Sequence, residues 1–211
     1  MSRVWADFYD YILPEVGGAA TALVDLVLRN TVIDFYEFTA IDTRDITPID
    51  LVADTATYTP TPPTGYDISR FEVLYYVGNK LFPAGGDQLQ KIYTDWTTMT
   101  GAPRFYMSPQ QDTLRFVPIP TTNETAAVTG RMVLKPTRSA TGVEDWIFNR
   151  WVDTMALGTK AKLMMMPAKS WTNPELGVTY MKQFKAEQAD ARADAYKSFT
   201  RAQLQVAFRS P

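Results

Sequence analysis

The spacing of apolar residues predicts helices at the start of the chain. Apolar side chains recur at helical spacing behind Ser2, a candidate N-cap, which predicts a short amphipathic helix over residues 2–13. The Gly17-Gly18 pair interrupts this pattern, and a second apolar stripe predicts a helix over 19–39. We therefore expect residues 2–39 to consist of two helices joined by a short turn.

The middle of the chain has the period of β-strands instead. Alternating residues over 46–53 and 126–135 predict half-buried strands. Residues 67–77 and 80–82 predict a hairpin whose turn is Gly78-Asn79.

One short helix is expected among these strands. Apolar residues at helical spacing between Leu89 and Trp96 predict a helix over 86–98. With this helix inside it, the β-rich insert spans residues 40–136.

The last third of the chain is helical again, over residues 143–198. Residues 143–166 are apolar almost all round, which predicts a buried helix. Asn173-Pro174-Glu175 begins the next helix, because proline suits the first turn and an acid suits the positive end of the helix dipole. We expect this helix to continue to about Phe199.

These patterns predict an α+β fold. The N- and C-terminal helices form a helical bundle that is combined with an antiparallel β-sheet domain. We expect one domain over residues 1–198, followed by a flexible C-terminal arm over 199–211.

Composition excludes several kinds of chemistry. The 211 residues contain no cysteine and no histidine, which excludes disulfides, zinc–thiolate sites, cysteine nucleophiles and Ser-His-Asp triads. No glycine-rich phosphate loop occurs. Carboxylates, lysine, arginine, tyrosine and serine could still catalyse a reaction. No active site is evident among them, and we expect no enzymatic activity, no cofactor and no metal.

The start of the chain lacks the apolar core of a signal peptide, since Asp7 and Asp10 interrupt it. The best apolar run, residues 19–28, carries Asp25 and is too short to span a bilayer. The expected location is the cytoplasm or a particle assembled there.

Two sets of carboxylates could carry chemistry. Glu144 and Asp145 could be an acid pair, but we expect them at a helix N-terminus. Four aspartates have spacings that do not match an EF-hand loop, and we expect them on solvated faces: Asp42, Asp45, Asp50 and Asp54. A hydrolase that uses Asp42 or Asp45 is the enzyme alternative.

Aromatic residues cluster in the strand-rich part of the chain. Stacking on nucleic-acid bases would need a basic groove beside them, whereas acidic and basic residues are nearly balanced there. We expect core and interface aromatics rather than a nucleic-acid platform; they are Tyr75, Tyr76, Tyr93, Trp96, Phe105, Tyr106 and Phe116.

The C-terminal segment is more basic than the rest. Residues 181–211 hold six basic and three acidic groups, whereas the whole chain has a net charge of -2. The segment is either a basic arm that docks on an acidic partner or an ordinary solvated helix with a frayed end.

Several short segments follow one another in an order that resembles a known family. Phe184 stands where that family has a phenylalanine in its closing helix, and Ser170 replaces the usual proline before Trp171. Phe38 or its neighbour takes the place of the family's cysteine. The segments are residues 28–39, 57–60, 67–74, 81–83, 96–106, 114–120, 133–137 and 156–176. In this order they resemble the head-to-tail connector, or adaptor, proteins of tailed bacteriophages.

The resemblance implies a structural virion protein without catalytic groups. Such proteins form a ring, typically dodecameric, under the portal, where they extend the DNA channel and dock the tail. The implied partners are the portal protein, tail or neck proteins and copies of the chain, in the neck of a virion assembled in the host cytoplasm. DNA would pass without specific binding, and no membrane is involved. The alternative is another tail component, such as a tail-completion or tail-tube-end protein.

With this resemblance, residues 199–211 are predicted to be a portal-facing arm. Arg201 and Arg209 would pair with acidic portal residues. Apolar side chains would anchor in pockets of the portal, namely Phe199, Leu204 and Phe208.

Overall fold

The computed structural model describes residues 2–200 and has a mixed α+β fold. Five α-helices occur in this range, together with a curled, mostly antiparallel sheet. The chain divides into two compact units. Residues Asp42–Lys135 form the sheet unit, and the described residues before and after them form the helical unit.

The first residues of the helical unit form a strand. β1 (Ser2–Val4) pairs antiparallel with β10 (Gly142–Glu144), with Arg3 opposite Val143. The helix predicted over 2–13 is therefore wrong at its start, and Ser2 is not its N-cap. The reason is that apolar spacing is local information, whereas the partner strand lies beyond the whole sheet unit in the sequence.

Only one turn of α-helix remains in that segment. α1 covers Tyr9–Ile12, and a 3-10 turn lies on each side of it, at Trp5–Phe8 and Leu13–Glu15. Phe8 and Ile12, two of the residues behind the helix prediction, are fully buried. The apolar pattern thus identified core residues although the backbone is less regular than predicted.

Three long helices pack against one another in the helical unit: α2 (Thr21–Thr39), α4 (Asp145–Met164) and α5 (Pro174–Tyr196). The prediction of a helix over 19–39 is confirmed to within two residues. The helix predicted from 143 begins at Asp145, because the preceding residues belong to β10.

The start of α5 is as predicted. Asn173 is the N-cap, and its side-chain oxygen accepts a hydrogen bond from the Leu176 N–H at 3.2 Å. Pro174 is the first helical residue, where its missing N–H is not needed. This boundary was predictable because capping depends only on neighbouring residues.

The sheet unit contains eight strands and one helix, α3 (Gly86–Ile92). The strand order is β2-β9-β5-β6-β7-β8-β4, with β3 also paired to β9. All pairings for which a register is known are antiparallel except β6 with β7. The strands are β2 (Thr43–Asp45), β3 (Ile49–Leu51), β4 (Thr57–Tyr58), β5 (Tyr66–Tyr76), β6 (Asn79–Pro83), β7 (Phe105–Met107), β8 (Leu114–Val117) and β9 (Glu124–Pro136).

Two boundaries in the sheet unit differ from the predictions. The strand predicted over 46–53 is shorter, since only β3 (Ile49–Leu51) forms a strand there, paired with β9. The hairpin of β5 and β6 is present, but its turn is Val77-Gly78, since Tyr76 pairs with Asn79. Both residues of the turn have positive φ, 47° at Val77 and 78° at Gly78.

Helix α3 is shorter than the predicted 86–98. Its last residue is Ile92, and Tyr93 is extended. The Gln90 side chain accepts a hydrogen bond from the Trp96 indole at 3.1 Å and donates one to the Thr94 carbonyl at 3.0 Å. These bonds stabilise the turn that follows α3 in place of further helix.

The core of the sheet unit consists of apolar side chains from most of its strands. Ile68, Leu74, Leu81 and Phe116 are almost completely buried there. No helix within residues 2–200 is both long and apolar enough to cross a lipid bilayer.

Candidate interaction surface

The predicted portal-facing residues fall at the edge of the part of the chain that the structure describes. Phe199 is described, whereas Arg201, Leu204, Phe208 and Arg209 lie outside the described residues. The local geometry of the candidate surface is therefore built around Phe199 and the end of α5.

The end of α5 has the hydrogen bonds of a Schellman motif. The Phe199 N–H donates to the Asp194 carbonyl at 3.0 Å, and the Ser198 N–H donates to the Ala195 carbonyl at 2.9 Å. Ser198 and Phe199 are both left-handed, with φ of 49° and 55°. The helix therefore stops at Tyr196, three residues before the predicted end.

The Phe199 ring contacts two side chains of α4. It meets the Trp146 ring edge-to-face, with ring centroids 5.7 Å apart and an interplanar angle of 79°. In the second contact, the Arg150 guanidinium lies over the Phe199 ring, 5.0 Å from the ring centre. Trp146 and Arg150 are four residues apart and so share one face of α4.

Polar contacts fix both of these α4 side chains. The Arg150 Nη2 donates to the Asp194 Oδ2 at 2.7 Å, which joins α4 to α5. The Trp146 indole N–H donates to the Glu144 Oε2 at 2.8 Å. We call Trp146, Arg150, Asp194 and Phe199 the terminal cluster.

The terminal cluster remains open to solvent. Phe199 is 43% exposed and Trp146 is 40% exposed. Arginine and aromatic side chains that stay at the surface are the residue types that most often dominate protein–protein binding. Trp146 and Arg150 are therefore candidates for contact with another protein.

A second arginine stacks on exposed aromatics near the same helix end. The Arg192 guanidinium lies 5.2 Å from the ring centre of Phe38 and 5.6 Å from that of Tyr196. Both rings are exposed. The exposure of Phe38 shows that not every apolar residue of α2 lies on its buried face.

The sequence pointed to Phe199 but missed its partners on α4. The sequence predicts that Trp146 lies in a buried helix, and it gives no reason to select Arg150 or Asp194. The four-residue spacing of Trp146 and Arg150 indicates a shared helix face. Nothing local indicates that Phe199, about fifty residues further along the chain, packs on that face.

The acidic pair behaves as predicted. Glu144 is the N-cap of α4 and Asp145 is its first residue, so both lie at the positive end of the helix dipole. Asp145 also accepts an ion pair from Arg3, whose Nε is 3.1 Å from Oδ1. Their assignment to a helix N-terminus is confirmed.

The prediction of a solvated face is wrong for Asp42. This side chain is buried, and it accepts two hydrogen bonds of 2.8 Å from the Arg44 guanidinium. The guanidinium also lies 5.0 Å from the ring centre of Tyr66. A carboxylate can be buried here because a planar, bidentate cation accompanies it.

The other aspartates do not gather around Asp42 into a metal site. Asp45 is exposed and lies 4.0 Å from Arg131, and Asp50 accepts a hydrogen bond from the Ala126 N–H at 2.6 Å. Within residues 2–200 no group of three or more acidic side chains is arranged to hold a metal ion.

The aromatics of the sheet unit divide between core and surface. Tyr106 and Phe116 are buried core residues, as expected. Tyr93 and Phe105 are half-buried and meet each other with centroids 6.3 Å apart. The Arg115 guanidinium stacks 5.4 Å from the centre of the Trp96 ring. The rings of Tyr93, Trp96, Phe105, Tyr106 and Phe116 thus pack against other residues of the sheet unit.

The chain matches no protein-family model and no curated protein sequence. Its function is therefore inferred from the order of its sequence segments and from the contacts described above.

Proposed function

We propose that this protein is a structural virion protein that joins the portal of a tailed bacteriophage to its tail. In this proposal it forms a ring under the portal, extends the DNA channel and provides the docking surface for the tail. Its helices act as a bundle that carries the β-sheet domain, and it has no catalytic role.

The observation that carries the proposal is the order in which the connector-like segments fall on successive elements. Residues 28–39 lie in α2, 67–83 cover the β5–β6 hairpin, and 114–120 include β8. Residues 133–137 end β9, and 156–176 run from α4 into α5. These segments thus lie on different helices and strands, in the same order as in the resemblance.

One of these segments also has a clear packing role. Gly158, in the stretch Ala156-Leu157-Gly158, lies where α2, α4 and α5 approach one another. A side chain there would meet the Phe184 ring and Thr31. Phe184 is itself one of the resemblance positions, so two of the resembling residues contact each other in the core.

The surface of the chain supports a role in assembly. Aromatic side chains are exposed in both units, including Trp146, Tyr196 and Phe199 in the helical unit and Tyr75 and Phe82 in the sheet unit. Ring subunits use such side chains for heterologous contacts with their neighbours. The net charge of -2 is compatible with a channel that does not grip DNA, because phosphate binding depends on an excess of lysine and arginine.

Residues 199–211 are the proposed portal-facing arm. The arm begins at the terminal cluster, so its first residue is already held at a surface rich in aromatics and arginine. Beyond it, the proposed contacts are ion pairs from Arg201 and Arg209 and apolar anchoring by Leu204 and Phe208.

The proposal is tested by measuring the native mass of the purified chain with and without the portal ring of the same virus. We expect the portal to recruit multiple copies and to give a ring whose mass is a fixed multiple of 23.8 kDa. Serum albumin replaces the portal as the control for nonspecific association. If the chain ignores the portal, as a monomer or as a ring, the connector proposal is wrong and the tail-component alternative takes its place.

A further inference from the structure

Strand β6 ends at a proline that faces β5. The Phe82 N–H donates to the Arg104 carbonyl at 3.0 Å, on the β7 side of the strand. The Ala84 N–H donates to the Tyr106 carbonyl at 2.9 Å, on the same side. Because N–H groups of successive strand residues point in opposite directions, the nitrogen of Pro83 faces β5, where it has no hydrogen to donate.

Both neighbours of β6 extend beyond this end. β5 covers Tyr66–Tyr76, but β6 pairs with it only from Leu74 onward. β7 reaches Met107, whereas its pairing with β6 ends at Tyr106. Within residues 2–200 no strand continues the line of β6 between β5 and β7.

A cleft of about 400 Å³ lies at this position, which is a volume typical of ligand sites. We call it the strand-end cleft. It is lined by residues 69–71 of β5, by 83–85 at the end of β6, and by 106–108, together with Gln88 and Gln111.

The Gln111 side chain limits the length of this gap. Its Nε2 donates to the Ser69 carbonyl at 3.2 Å, which links the turn after β7 to β5 at the end away from Pro83. Only residues 70–73 of β5 lie between this link and the pairing of Leu74 with β6. The gap therefore suits the end of an extended chain rather than a long strand that runs through it.

The strand-end cleft also contains a buried hydroxyl group. Tyr106 lines the cleft and is only 6% exposed, and its hydroxyl makes no hydrogen bond within residues 2–200. Buried polar groups normally have a partner, so this hydroxyl indicates a ligand group that would supply one. Burial raises the pKa of Tyr106, and the hydroxyl therefore stays protonated at neutral pH and is able to donate.

The charge of the lining favours an anion. Arg70 lines the cleft and is exposed, and no acidic residue occurs among the described residues that line it. The Lys135 ammonium adds positive charge nearby, since it lies 3.5 Å from the Gln111 Oε1. A guanidinium and a hydroxyl are both donors suited to a carboxylate. Apolar lining residues suit an apolar side chain beside that carboxylate, namely Phe71, Pro83 and Met107.

We propose that the strand-end cleft binds the C-terminal end of an extended segment of a partner protein. The bound backbone lies in line with β6, between β5 and β7, as an added strand. Its terminal carboxylate accepts hydrogen bonds from the Tyr106 hydroxyl and the Arg70 guanidinium, and its last side chain is apolar. The site lies within the sheet unit, and the inference does not rest on the proposed function.

The test is an NMR titration of the full-length chain with an acetylated pentapeptide of alternating threonine and valine. The peptide ends in valine with a free carboxylate, and the same peptide with a C-terminal amide is its matched control. We expect the acid to shift backbone amide signals within residues 69–71 and 106–108. The amide should bind at least about tenfold more weakly, because it lacks the charged acceptor.

Tyr106→Phe separates ligand binding from a structural role of the hydroxyl. It should weaken binding of the peptide acid by about fivefold. The melting temperature should not fall, because the hydroxyl has no partner to lose within the described residues. A lower melting temperature with unchanged peptide binding would mean that the hydroxyl serves the fold alone.

Arg70→Gln tests the charge of the site. It should weaken binding of the peptide acid and leave binding of the amide unchanged. Arg104→Gln is the control, since Arg104 is also exposed in the sheet unit but does not line the strand-end cleft. It should leave the binding of both peptides unchanged.

Isovalerate, which carries the same carboxylate and apolar group without a peptide backbone, distinguishes a chain end from a free small acid. Binding of the peptide acid that is clearly tighter than that of isovalerate or the amide supports the proposal. Equal binding of isovalerate and the peptide acid overturns it in favour of a small-acid site. Equal binding of acid and amide, or no signal change at the cleft with either, also overturns it. Because the probes are short peptides, these results do not depend on whether the protein binds a portal.

Discussion

Gly158 of α4 lies against the ring of Phe184 of α5 at a distance that leaves no room for a side chain. A β-carbon on Gly158 would be 2.8 Å from two ring carbons of Phe184 and 2.8 Å from the Thr31 methyl group of α2. Phe184 is buried, so its ring has little freedom to move away. The three helices therefore approach as closely as they do because this residue is glycine.

We expect overpacking in Gly158→Ala to cost about 1–3 kcal/mol. The gain of about 1 kcal/mol that alanine normally brings to a helix interior offsets part of this cost, so we expect a net loss of up to about 2 kcal/mol in the free energy of unfolding. Urea unfolding followed by circular dichroism measures the change.

Gly86→Ala in α3 is the matched control for that substitution. Its β-carbon would be 3.8 Å from the Trp96 ring, which is an ordinary contact. We expect it to be neutral or slightly stabilising. Equal destabilisation by both substitutions would contradict the close packing described for Gly158.

A second prediction concerns the buried carboxylate of Asp42. Arg44→Lys keeps the positive charge but cannot donate the two parallel hydrogen bonds or stack on Tyr66 in the same way. We expect a loss of about 2 kcal/mol in the free energy of unfolding.

A double-mutant cycle with Asp42→Asn isolates the contribution of this pair. The two substitutions should be less harmful together than the sum of their separate effects. Strict additivity would show that Asp42 and Arg44 contribute independently.

The third prediction concerns pH and the contacts of Glu15. The Lys160 ammonium and the Tyr180 hydroxyl both donate to its carboxylate, the latter at 2.6 Å. Burial by itself would raise the pKa of Glu15, but these hydrogen bonds and the charge of Lys160 outweigh it and hold the pKa below its usual value. A lowered pKa means that the contact stabilises the fold above about pH 4.3 and is lost as the pH falls through the folded-state value.

The wild type should therefore have a higher melting temperature than Glu15→Gln at pH 7, and the gap should close towards pH 3. The difference at neutral pH is on the order of 1 kcal/mol, because the Glu15 side chain is partly solvated. Asp10→Asn, at an exposed position of the same segment, is the control for removing one carboxylate charge and should leave the melting temperature at pH 7 nearly unchanged. A gap that stayed constant with pH would refute the electrostatic explanation.

The fourth prediction uses the hairpin turn of the sheet unit. Val77 has a φ of 47° although it is β-branched, and 63% of its surface is exposed, so it gains little from burial. Asparagine tolerates this backbone conformation better. We expect Val77→Asn to raise the free energy of unfolding by about 1 kcal/mol.

Gly78→Ala gives the opposite test at the neighbouring position. Gly78 has a φ of 78°, and alanine there should cost about 1 kcal/mol. Thermal unfolding of both variants checks the signs. Destabilisation by Val77→Asn would mean that a contact of the valine side chain stabilises the fold by more than its left-handed backbone destabilises it.

The fifth prediction concerns the arm of the proposed connector. Deleting residues 199–211 should leave the fold intact, because the only described ring that it removes is partly exposed. It should abolish attachment to the portal, which a pull-down or native mass measurement detects. Unchanged affinity of the truncated chain for the portal would remove the arm from the proposed function.

The arm can also be tested by removing its positive charges instead of deleting it. Replacing Arg201 and Arg209 by glutamine should weaken portal binding and reduce its dependence on salt concentration. A matched replacement of Lys80 and Lys91, in the sheet unit, should leave the salt dependence unchanged.

Much of the local structure could be predicted from the sequence. The start of α5 at Asn173-Pro174, the range of α2 and the β5–β6 hairpin all depend on neighbouring residues, so propensity and spacing sufficed. The candidate surface was only partly predictable. Phe199 was singled out as part of the arm that the resemblance implies, but its contacts with Trp146 and Arg150 were not.

The sequence by itself determined which segments are helical, which are extended and which chemistry is excluded, because these properties depend on residue types and on periods of a few residues. Only the tertiary structure decided that Ser2–Val4 is a strand, since its partner Gly142–Glu144 is remote in sequence. It also decided that Phe199, which follows the end of α5 at Tyr196, packs on Trp146 of α4. In both cases the contact joins segments that are far apart in sequence, so local residue patterns carry no information about it.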